Sequence, residues 1–138
     1  MDLDNPVLRL CQDGMRAEAE ERPADARALF EQAWARRTDD YDACVAAHYL
    51  ARHQDDPEEM LRWNQAALRH AEAVGDDRVA AFHPSLHVGV AMANERLGNM
   101  VAARAAFERA AEHVDAVPAG AYGELLRAAI VEGLRRLS

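Results

Sequence analysis

The stretch Leu97–His113, LGNMVAARAAFERAAEH, sets the reading of the whole chain. Its small residues and single aromatic stand at helical intervals: Ala103, Phe107 and Ala110 share one face. An earlier stretch, Arg22–Arg37, RPADARALFEQAWARR, places Ala26, Phe30 and Ala33 at the same spacing. The two sets are related by a shift of 77 residues. A third stretch, Asp56–Ala71, DPEEMLRWNQAALRHA, lies 34 residues after the first, with Pro57 over Pro23 and Ala67 over Ala33. One helix-forming module therefore recurs three times, the third copy 43 residues after the second.

Punctuation between the copies is strong. Asn5-Pro6 reads as a helix cap followed by proline in the first turn, where its missing N–H costs nothing. Asp56-Pro57-Glu58-Glu59 reads the same way, with Glu59 placed for a capping box. Gly75 and Gly98 stand where helices end in a left-handed residue, and Pro118-Ala119-Gly120 is a break. The acidic pairs Asp39-Asp40, Asp55-Asp56 and Asp76-Asp77 all fall at helix starts, where carboxylates cap N–H groups. No segment alternates with period two, so no strand is expected. The pattern predicts an all-α chain of about seven helices, near 6–20, 24–37, 40–53, 57–73, 78–97, 100–115 and 121–137. Pro84 falls inside the fifth, which must kink there or truly begin near His83.

A helix pair repeating near 34 residues, with these small and aromatic positions, resembles the tetratricopeptide repeat family. Gly14, Ala26, Phe30 and Ala33 match in unit one; Ala91, Ala103, Phe107 and Ala110 match in unit three. Unit two departs from the pattern: His48 stands for the small residue of its first helix, Met60 for the early alanine, and Asn64 for the aromatic, with Trp63 beside it. The resemblance implies a single α-solenoid domain over residues 1–138, with units near 6–38, 40–75 and 78–116. The helix 121–137 would cap the stack. Tyr122, Leu125, Leu126, Ala129, Ile130, Leu134 and Leu137 form its apolar stripe; a helix recruiting a second copy as a homodimer would look similar.

The resemblance also implies a binding role rather than catalysis: the first helices of the pairs line a concave groove that takes a protein or peptide. Its groove positions fall on Cys11, Met15 and Glu18, on Val45, Tyr49 and Arg52, and on Val88, Met92 and Glu95. Tyr49 and Arg52, three apart on the middle unit, are the expected binding hot spots. One subgroup of the family clamps a C-terminal carboxylate with lysine, asparagine and arginine. This chain has no lysine at all, which argues against that mode. A sensor repeat binding a short signalling peptide or small molecule is the alternative function.

Other chemistry finds little footing. No glycine-rich phosphate loop, G-x-S-x-G or H-E-x-x-H occurs, so neither an enzyme nor a cofactor is expected. His83 and His87 share a helix face, and His48 on a neighbouring helix is the one candidate third ligand for a metal enzyme. Packing is the favoured role for these histidines, as it is for Trp34 and Trp63. A net charge of −8 argues against nucleic acid. No apolar run is long enough to span a membrane, and the acidic opening MDLDNP lacks the charge of an export signal. Two widely separated cysteines fit a reducing compartment, so the cytoplasm is expected.

Overall fold

A computed structural model describes residues 4–138, and every regular element among them is helical. The elements are α1 (Pro6–Ala19), α2 (Pro23–Ala35), α3 (Asp40–Ala51), α4 (Pro57–Val74), α5 (Asp77–Ala80), α6 (His83–Arg96), α7 (Met100–His113) and α8 (Ala121–Arg136), with a 3₁₀ turn at Val114–Ala116.

Local chemistry sets these boundaries. Asn5 accepts the Val7 N–H at 2.9 Å, and Pro6 occupies the first turn of α1. Asp39, Asp56 and Asp76 each accept a backbone N–H at the start of α3, α4 and α5, as the acidic pairs predict. Glu59 pairs instead with Arg62, at 2.9 Å. Gly75 ends α4 with φ +62°, a conformation that a side chain would strain. The fifth predicted helix divides in two. Pro84 cannot donate a backbone bond, so a new helix begins at His83 and places the proline in its first turn.

Helices α1–α2, α3–α4 and α6–α7 form three consecutive pairs. The loops within them are short, so the partners run antiparallel. The second helix of each pair also touches the first helix of the next: α2 meets α3, α4 meets α6, and α7 meets α8. In addition α1 touches α3, and α6 touches α8. Helix α8 thus stands to α6–α7 as α3 stands to α1–α2, in the place of the first helix of a further pair.

The repeated small residues mark the closest approaches. Ala26, Ala33, Ala103 and Ala110 are fully buried. Phe30 lies on Gly14, where an added Cβ would stand 2.4 Å from the ring. Phe107 lies in the same way on Gly133 of α8, also at 2.4 Å. No side chain larger than hydrogen fits under either ring, and each ring fills the space left between axes. In the middle unit Asn64 takes the buried aromatic position, and its amide lies on Gly89 of α6. Its side-chain NH₂ donates to the Met60 carbonyl at 3.0 Å, satisfying one buried donor within its own helix. Trp63 does not substitute for the missing ring. It turns to the other side of α4 and meets Trp34 edge to face, with centroids 4.9 Å apart.

Candidate functional site

A hollow of about 520 Å³ opens between α3, α4, α6 and α8. Apolar side chains dominate its walls: Met60, Val88, Met92 and Leu125. Tyr122 projects from α8, and its hydroxyl shares a hydrogen bond with that of Ser85 on α6. Arg52 and Arg96 stand in the lining, which includes no carboxylate. A chain of net charge −8 thus presents, in this hollow, only cationic and neutral groups. A second hollow of about 380 Å³ adjoins it, sharing Met92, Arg96 and Ala129. The two make one groove running along α8 to the Glu95–Arg136 ion pair, which closes at 2.8 Å.

Three of the groove positions read from the sequence, Arg52, Val88 and Met92, line the larger hollow, and Glu95 lines the smaller. Met15 and Met92 are exposed, 39% and 48%. Cys11 and Val45 are fully buried and belong to the core between α1, α2 and α3. Tyr49 is only 8% exposed. Its ring stacks on Phe30 at 5.1 Å, and the Arg52 guanidinium covers it at 4.7 Å. Tyr49 is therefore a core residue, because its ring is needed to seal Phe30. Its replacement by alanine would cost fold stability rather than binding alone. Glu18 is also engaged, holding Arg52 and, at 2.7 Å, His53. That ion pair ties α1 to α3 and holds Arg52 at the edge of the groove.

Met60, Arg96, Tyr122 and Leu125 are among the lining residues that sequence reasoning misses, as are His48 and Asn64, which it placed in packing roles. Arg96 is braced across the helix pairs, donating to the Asp55 carbonyl at 3.2 Å and to the Met60 sulfur at 3.4 Å. The available signal was the amphipathic stripe of α8, which is too wide to belong to one surface. Leu126 and Ile130 are buried against α7, whereas Tyr122 and Leu125 are 58% and 72% exposed and face the groove.

The histidines separate into two groups. His83 and His87 do share a face of α6, but the third imidazole beside them is His113 on α7. The three rings stack, with centroids 5.3–6.2 Å apart. His48 packs instead against Tyr49 and Phe82. A metal centre on His48, His83 and His87 therefore has no geometric basis. Among the described residues no three His, Cys, Asp or Glu side chains converge as ligands. Burial pushes the His87 pKa down to about 4, helped by neighbouring His113, His83 and Arg109. Burial likewise lowers His48 to about 4, with Arg52 adding to the effect. Both stay neutral near pH 7. The Nδ1 atoms of His48 and His83 are enclosed without a hydrogen-bond partner.

Cys11 and Cys44 are buried free thiols, both pushed up to about 12 chiefly by burial, so neither is a nucleophile at neutral pH. Among the described residues no helix is long and apolar enough to cross a membrane. No family model matches the chain, and no curated protein or solved structure matches it either.

Proposed function

We propose that the protein is a tetratricopeptide-like binding module without catalytic activity, whose groove between α3, α4, α6 and α8 receives a peptide segment of a partner protein. The observation that carries this reading is the lining of the larger hollow: methionine, valine and leucine walls beside two arginines, with no carboxylate, whereas Glu95 and Glu132 line only the smaller one. Unbranched methionine side chains adapt to varied apolar partners. Arginine offers a planar donor fork that fits a carboxylate. The preferred segment therefore combines bulky apolar side chains with one or more acidic groups. A small amphipathic acid is the second reading, favoured by a volume within the range of single-ligand pockets. Buried, unpaired thiols suit a reducing compartment such as the cytoplasm.

The test is a selection from a phage-displayed library of random dodecapeptides. Enriched sequences should pair Asp or Glu with Leu, Ile, Phe or Met. Met92→Asp and Arg96→Glu should each weaken the selected peptides by about tenfold or more, near 1.4 kcal/mol, with helicity unchanged. Equal binding by both variants would place the site elsewhere. A library that yields no acidic-apolar consensus would count against a peptide.

A further inference from the structure

Helix α8 has an outward face that nothing among the described residues covers. Its core side carries Gly123, Leu126, Ile130 and Gly133, all buried. Opposite these, Glu124, Ala128, Val131 and Arg135 form one stripe, all exposed. Val131 is 67% exposed. The helix at the other end of the stack differs: α1 turns Arg9 and Arg16 to solvent, an ordinary charged surface. In the pairs α1–α2, α3–α4 and α6–α7 the first helix is covered by its own second helix, whereas α8 among the described residues is not.

The order of residues along the stripe has a particular symmetry. The acid stands at its N-terminal end and the base at its C-terminal end, with two apolar residues between. Set against an identical stripe running the other way, Glu124 meets Arg135 of the second copy and Arg135 meets its Glu124. The same register places Ala128 opposite Val131 of the second copy, small against large, twice. The stripe is thus complementary to itself about a twofold axis, as an isologous contact requires. Ala128 lets the two axes approach closely. Within the chain Arg135 forks onto both oxygens of Glu132; the two side chains are exposed, so this pair is weak in water and the guanidinium can exchange it for an intermolecular carboxylate.

We infer that α8 is a homodimerisation surface whose partner is α8 of a second copy, antiparallel and joined by two Glu124–Arg135 pairs. One helix pair buries less than the roughly 1,200 Å² of a standard stable interface, so the dimer is weak and forms with rising concentration. This inference is independent of what the groove binds.

Sedimentation equilibrium over a micromolar to millimolar series tests it. The mass should rise from one chain, 15.3 kDa, toward twice that value. Glu124→Arg and Arg135→Glu should each weaken association at least tenfold, since each sets like charges together. Mixing those two variants should restore dimers, because one then carries two arginines and the other two glutamates at the facing positions. The double variant E124R/R135E should also self-associate like the parent. A parent that stays monomeric throughout overturns the inference. So does association that neither single variant weakens, or a mixture that remains monomeric when both partners keep parental helicity.

Discussion

Phe30→Ala should remove most of the folding stability, with a loss of about 3–5 kcal/mol in urea unfolding. The phenyl ring is completely buried. It touches three elements at once: Gly14 of α1 beneath it, Tyr49 of α3 stacked on it, and its own helix α2. Truncation opens a cavity that Gly14 cannot fill, since that residue has no side chain to extend. Small domains are stable by only about 5–15 kcal/mol, so the variant sits near the edge of folding. A companion pair separates lost contact from lost fit. Gly14→Ala alone forces its methyl group into the Phe30 ring, at 2.4 Å from the nearest carbon. Combined with Phe30→Leu, the same alanine finds room. The double variant should be more stable than the sum of the two single losses predicts, by about 0.5 kcal/mol or more. Simple additivity would mean that Gly14 and Phe30 are not in the contact described.

Asp42→Ala should cost about 2 kcal/mol, the range for losing hydrogen bonds to a buried charged group. The carboxylate is fully buried near the start of α3. It accepts the Asn5 side-chain amide at 2.7 Å, the Thr38 N–H at 3.1 Å and the Thr38 hydroxyl at 2.9 Å. One group thereby fixes the cap of α1, the turn from α2 and the entry to α3. Alanine removes the one protein acceptor these donors share; Thr38 is exposed and Asn5 half-buried, so water reaches them and offsets part of the loss. Asp42→Asn keeps the shape and one acceptor oxygen, so it should recover part of the loss. An alanine variant with the parental urea midpoint would show that solvent replaces the missing acceptor at no cost.

The helical frame was legible because its signals are local or periodic. Pro6, Pro57 and Pro84 mark first turns, Asp39, Asp56 and Asp76 mark caps, and Gly75 and Gly98 mark ends. The recurrence of Phe30 and Phe107 with their flanking alanines located the buried contacts, since a close helix crossing demands small neighbours around one large ring. The middle unit was harder. Asn64 follows no apolar rule, and its burial depends on a bond to its own helix and on Gly89, twenty-five residues away. The groove was legible only in part. Spacing along α3 puts Tyr49 and Arg52 on neighbouring positions, but it cannot say that Phe30 will claim the tyrosine ring. Nor can the pattern of α8 divide its apolar residues between the core, the groove and the outward face. That division is fixed by where α7 lies, which is a tertiary fact.

The two tryptophans of the chain, Trp34 and Trp63, meet in a single contact between α2 and α4. Indole fluorescence is therefore an optical label on one seam of the stack, while α6, α7 and α8 contribute no indole. In a linear array, neighbouring units can melt in separate steps. Emission should then report when the first two pairs come apart, and circular dichroism should report the whole. A midpoint in emission that differs from the midpoint in ellipticity would measure how tightly the α6–α8 end is coupled to the rest, without any added probe.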